Sequence, residues 1–283
     1  MTEVKEILAR VNKLPPMPAV VQQVLATLQD PNFSFSKLLE TVRLDPGITA
    51  HVINMCNSPF YGLKQKVSSL QQALLLIGSQ QLMEIILSGK MVGHFKKGQT
   101  GYRLARGALW QHCMATALLA QTLGERLKYP DLPTLFTAAL MHDVGKLVLS
   151  EYVDQEFTQI ERMVEMGQAF ADAERQVLGV DHALLGGAVA RQWNFPENIV
   201  AAISFHHNPG AAPAEHRPLA NLVALANLIC ISLGVGAGAE GLAAVVTTAL
   251  LKDVGLRTRD LDILLLELKD ILDSAADLLA LAS

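Results

Sequence analysis

Within the run AALMHDVGKLVL, residues 138–149, an apolar helical pattern is interrupted by His142, Asp143 and Lys146, with Gly145 between them. An imidazole beside a carboxylate is a donor pair suited to a transition metal. Neighbours on a helix diverge by about 100°, so both reach one ion only if it sits in the wedge between their side chains. A lysine one turn further on offers a point charge to a phosphate oxygen. Four more histidines stand at helical positions elsewhere. His112 shares a face with Ala115, Leu119 and Leu123, His182 opens DHALLGGAVA, and His206 and His207 end PENIVAAISFHH. Taken singly, an inward histidine is more often a hydrogen-bonded core residue than a ligand. Taken together, five imidazoles and one carboxylate from four helices suit Fe, Mn, Co, Ni or Zn rather than Ca or Mg. An ion of that kind lowers the pKa of a bound water and supplies a nucleophile for phosphoester hydrolysis. The remaining histidines lack such company: His51 reads as structural or solvated, and His94 and His216 as loop residues.

Helices must carry these side chains. The chain of 283 residues is 51% hydrophobic and 18% charged, rich in Leu and Ala and only 5% aromatic. That mixture favours helix–helix packing, and no run alternates as a strand does. In the first hundred residues, VKEILARVNK stops at LPPMP, and AVVQQVLATLQD places Val20, Val21, Val24, Leu25 and Leu28 on one stripe. KLLETVRL follows, with Ser34 or Ser36 as its N-cap, then ITAHVINMCNS and the turn NSPFYG. SSLQQALLLIG begins on serines and ends on Gly78, and a last helix covers about 79–92. HFKKGQTGYR, at 94–103, is the boundary to a second helical unit. Beyond it the apolar helices that bear the histidines alternate with polar amphipathic ones, and leucines at helical spacing with acids opposite close the chain.

Composition also excludes. The net charge is −4 with no long basic run, which argues against a nucleic-acid surface. Cys56, Cys113 and Cys230 are odd in number and far apart, and read as reduced thiols. MTEVKEILAR has charges where an export signal needs an apolar core, so the expected location is the cytoplasm. The uncharged stretch at 218–239 is interrupted by two asparagines and ends in glycines, short of the ~20 residues of a membrane span, and reads as a buried helix.

The order His112, then His142-Asp143-x-Gly145-Lys146, then His182, then His206-His207 resembles the HD superfamily of metal-dependent phosphohydrolases. LPPMPAVVQQVLATLQD, VRLDPGITAHVINMCNSPFYG, SSLQQALLLIG and VLGVDHALLGGAVARQWNFPENIVAAISFHH resemble more closely the HDOD family, the HD-related output domains of bacterial signalling, over about residues 11–230. The resemblance implies an all-α fold: an N-terminal helical subdomain over 1–97 packed on an HD-like bundle over 98–236, with a C-terminal helical extension over 237–283. It implies metal positions at His112, His142, Asp143, His182, His206 and His207, holding one or two transition-metal ions (Fe, Mn, Ni, Co or Zn) or none.

Two functions follow from it. The favoured one is a non-catalytic signalling module that binds a protein partner or a small ligand such as a cyclic nucleotide. The alternative is a metal-dependent phosphodiesterase with a reduced ligand set, in which Asp143 and Lys146 do the chemistry. A structural or sensory metal is a third, weaker reading. The active HD-GYP branch, which cleaves cyclic di-GMP, separates the first two. One turn before its first histidine that branch has a glutamate where this chain has Ala108, and its last aspartate ligand corresponds to Asn227. In place of its GYP segment stands NPGAAPAEHRP. An asparagine coordinates through a carbonyl but neither offsets metal charge nor takes a proton from water.

Overall fold

The computed structural model describes residues 4–11, 14, 17, 19–29, 39–40, 42–43, 45–95, 99–236, 238 and 246–276. Among them are thirteen α-helices and no strand. The Ser34 or Ser36 cap, half of KLLETVRL, the Leu25 and Leu28 side chains and parts of the 94–103 and 237–283 segments lie outside the described residues.

Helices α1 (Val4–Val11), α2 (Ala19–Gln29), α3 (Pro46–Cys56) and α4 (Leu70–Phe95) form the N-terminal part. In α3 the carboxylate of Asp45 accepts from the backbone N of Ile48 at 3.0 Å, and Pro46 stands where a missing N–H costs nothing. The expected helix end at Gly78 is a sharp break within α4, since Gly78 has φ 81° and ψ 174°, a conformation open to glycine. The second segment runs on to Phe95. His94 therefore lies in the last turn of a helix rather than in a loop, its ring 5.8 Å from that of Trp193. Among the described residues α1 packs chiefly on the later helices α7 (Lys146–Glu165) and α9 (His182–Gln192), burying Ile7 and Val11.

The bundle is built from α5 (Ala108–Arg126), α6 (Leu132–Met141), α7 (Lys146–Glu165), α8 (Phe170–Leu178), α9 (His182–Gln192), α10 (Glu197–Phe205) and α11 (Arg217–Ser232). Helix α5 packs on α6 and α11, and α10 bridges α9, α6 and α11. The uncharged stretch after Pro218 is the 16-residue α11, with Leu219 to Asn227 buried throughout. Among the described residues one helical run, Leu132–Glu165, is apolar and long enough to cross a membrane, but it is mostly buried and turns at residues 142–145. Helices α12 (Thr248–Asp253) and α13 (Thr258–Ser274) lie against α11 and α5, α13 through Leu264 and Leu268.

Candidate metal centre

The turn between α6 and α7 carries His142, Asp143 and Gly145, and Lys146 opens α7. Gly145 is required by a close approach: a Cβ there would overlap the carbonyl oxygen of His182 and the backbone N of Gly186. This contact lets α9 bring His182 to Asp143. Asp181 starts α9 at the right place, since its carboxylate accepts from the backbone N of Leu184 at 2.7 Å and pairs with Arg175. His206 and His207 follow the end of α10, and His112 projects inward from α5.

The structure brings all six sequence-selected residues together. Asp143 is their hub, 1% exposed. Its Oδ2 lies 3.5 Å from His112 Nε2 and 3.3 Å from His142 Nε2; its Oδ1 lies 3.4 Å from His182 Nε2 and 3.8 Å from His206 Nε2. The nitrogen that faces away from the hub is anchored in each ring. Nδ1 meets the carbonyl of Val235 in His112, of Ala139 in His142 and of Ile203 in His206, and the Glu174 carboxylate in His182, at 2.6–2.9 Å. In His142, His182 and His206, donation through Nδ1–H directs the Nε2 lone pair inward, which is the arrangement of metal-ligating histidines, while His112 Nε2 also faces the Asn227 carboxamide oxygen. His142 Nε2, His206 Nε2 and Asp143 Oδ1 are buried without a hydrogen-bond partner, so the donor set fits a cation. The donors form two groups, His112–His142–Asp143 and His182–His206–His207, each within 4.8 Å internally. His207, exposed at the rim, places Nε2 2.8 Å from His182 Nε2.

Electrostatics prepare the same state. Burial would raise the Asp143 carboxyl, but the adjoining His142, Lys146 and His182 hold it well below the usual carboxylate range. Burial, and then the neighbouring His142, push His206 well below its ordinary value and keep it a neutral donor. Lys146 does not face solvent. Its Nζ donates to Asp143 Oδ2 at 2.7 Å and lies 5.4 Å from the centre of the Tyr102 ring. Asn227, on α11, places Oδ1 2.9 Å from His112 Nε2, and Ala108 contributes no donor to the cluster.

Sequence reasoning missed Glu174. It is fully buried on α8 and accepts from Tyr102 Oη at 2.5 Å, the backbone N of His182 at 3.0 Å and His182 Nδ1 at 2.6 Å. An acid on the apolar face of an amphipathic helix was the available signal. Also missed was the cavity of about 530 Å³ that opens on His206 and His207, walled by Phe170, Arg175, Leu228 and, from α12, Leu250.

The HDOD domain family matches residues 14–209. A crystallised HDOD domain protein of unknown function from Geobacter sulfurreducens is 26% identical, with a TM-score of 0.75, over 99% of this chain and 98% of that one. A Marinobacter aquaeolei protein described in terms of signal transduction shares the fold at 23% identity and a TM-score of 0.77, over 100% of this chain and 62% of that one. An uncharacterized protein of Treponema pallidum is 25% identical over 224 residues, which are 77% of this chain and 42% of that relative, so the match spans less than half of the relative's length.

Proposed function

The chain belongs to the HDOD domain family, and on that premise we propose that it is a bacterial signalling module that holds a transition metal in its histidine cluster and acts by binding rather than by hydrolysis. One observation carries the reading: four histidines, each tied back through Nδ1, aim Nε2 at a single buried carboxylate. His112, His142 and Asp143 would hold one ion, and His182, His206 and His207 a second. A bound ion of this class supplies Lewis acidity and, because it binds the folded state, stability.

The chain's own residues support binding more than turnover. The two carboxylates of the cluster are both committed, Asp143 between two sets of imidazoles and Glu174 to three donors. Neutral Asn227 stands where the active branch has an aspartate, and Lys146 is drawn onto Asp143. The cavity beside His206 and His207 is the place for the partner segment or small ligand, cyclic nucleotides included.

The alternative, a phosphodiesterase with a reduced ligand set, draws support from Asp143 Oδ1 and Oδ2 facing different imidazole groups, as a carboxylate bridging two ions does. Metal analysis of protein purified without added metal, followed by assay of the Mn- and Fe-loaded protein on cyclic dinucleotides and bis(p-nitrophenyl) phosphate, tests both. We expect stoichiometric metal, lost in His142→Ala, and no turnover. Turnover abolished by His142→Ala overturns the non-catalytic reading, and absence of metal in native and reconstituted protein overturns the metal reading.

A further inference from the structure

A second cavity, of about 330 Å³, lies where the turn after α3 and helix α4 meet α5, α6 and α13, and it shares no lining residue with the histidine cluster. Its walls include Phe60 and Tyr61 of the NSPFYG turn, Glu84 and Ser88 of α4, and Met114 and Gln121 of α5. The turn is firmly built. The Asn57 side chain donates to the carbonyls of Ile53 at 2.9 Å and Val67 at 2.8 Å and accepts from the Val67 backbone N at 2.8 Å. This holds the Phe60 and Tyr61 rings edge to face, 5.0 Å apart, at the cavity wall.

Glu84 is 7% exposed and meets only amides, Gln80 Nε2 at 3.2 Å and the Gln121 side chain. Among the described residues no lysine, arginine or histidine pairs with it. A second carboxylate, Glu125, lines the same cavity one turn beyond Gln121. A carboxyl buried without a counter-charge is a costly feature that a packed core avoids, and nothing in the metal centre uses this one. The cavity's volume is at the lower end of the small-ligand range. Two acids and two aromatic faces around it are complementary to a positively charged group.

We infer that this cavity is a binding site for a small organic cation, an amine or a guanidinium, with Glu84 as its buried anionic anchor, Glu125 at the rim and the Phe60–Tyr61 pair against the ligand's apolar part. A ligand there touches the N-terminal helices and the bundle at once. The site is independent of the histidine cluster and of whether that cluster holds metal.

Burial raises Glu84 to about 7, with Glu125 adding to the effect. The other titratable groups that face it are Tyr61 from the turn and Glu125 from α5, while α6 and α13 present Phe136 and Ile271. A cation selects the ionised carboxylate, so affinity rises about tenfold between about pH 6 and about pH 8.

The test is calorimetric titration of the full chain with agmatine at constant ionic strength, with 1,5-pentanediol as the uncharged control. We expect saturable agmatine binding with that pH dependence, no binding of the diol, a loss of about tenfold or more in Glu84→Gln, and weaker binding in Phe60→Leu. Melting curves establish that both variants are folded. No agmatine heat at millimolar concentration, equal binding by the diol, or unchanged binding in both folded variants overturns the inference.

Discussion

Glu174 is the residue through which the position of His182 is most directly tested. Its Oε2 accepts both the backbone N and Nδ1 of His182, and its Oε1 accepts the Tyr102 hydroxyl. In Glu174→Gln the carboxamide oxygen still faces the two His182 donors, and the Tyr102 hydroxyl turns to accept from the new NH₂. What is lost is charge. A hydrogen bond to a charged group contributes about 1.5–3 kcal/mol and a neutral one about 1 kcal/mol, so three bonds lose roughly 3 kcal/mol in all. That is within the 5–15 kcal/mol or so of a typical fold, and the variant stays folded. Glu174→Ala instead leaves three buried donors unpaired at about 1–3 kcal/mol each and does not accumulate as folded protein. For the metal, removal of an outer-shell carboxylate behind a ligating histidine costs about 10–100-fold in affinity. The assay is Mn(II) titration by calorimetry beside urea unfolding of the apo-protein. Tyr102→Phe, which removes one of the three bonds without touching His182, falls between wild type and Glu174→Gln in both. Unchanged Mn(II) affinity in a folded Glu174→Gln protein would refute the reasoning that Glu174 sets the ring's tautomer and basicity.

Three further outcomes are expected. Asn227→Asp adds an anion beside His112 and raises Mn(II) affinity roughly tenfold or more, the Coulombic gain exceeding the burial penalty; an affinity equal to wild type in the same titration contradicts this. Gly145→Ala forces α9 away from the His142–Lys146 turn, because the new methyl meets backbone rather than a side chain that can yield; it costs about 3 kcal/mol in urea unfolding and reduces metal content, and a neutral substitution counts against the close-approach argument. Burial raises Glu84 from 4.5 to about 7, so the folded state keeps this proton to higher pH than the unfolded chain does. Stability therefore falls by roughly 3 kcal/mol as pH rises through that window, and Glu84→Gln removes this component, as urea unfolding at about pH 5 and about pH 8 will show.

The histidine cluster was legible because metal donors are few in kind and must stand at particular places on helices. His142 and Asp143 follow directly on α6 and bring Nε2 and Oδ2 to 3.3 Å of one another, and Asp181 caps α9 so that His182 is its first residue. The all-helical architecture followed from apolar spacing and from breaks such as LPPMP and Gly78. His94 was misread as a loop residue because helix ends are the least local part of the pattern: its helix runs on to Phe95, with the His94 ring 5.8 Å from that of Trp193.

The rest depended on long-range contact. Amino-acid types and spacing by themselves determined that the chain is helical, that it carries His112, His142, Asp143, His182, His206 and His207 on or at the ends of four separate helices, and that Asn227 and Ala108 are not acids. Only the tertiary structure decided that Glu174, eight residues before His182, turns inward to hold that ring. It alone decided that Lys146 faces Asp143, that α1 packs on α7 and α9, and that Phe60, Tyr61 and Glu84 line a second cavity. The physical reason is the same in each case. A side chain's type and helical phase are local properties, but the partner that satisfies a buried charge is supplied by whichever distant helix packs against it.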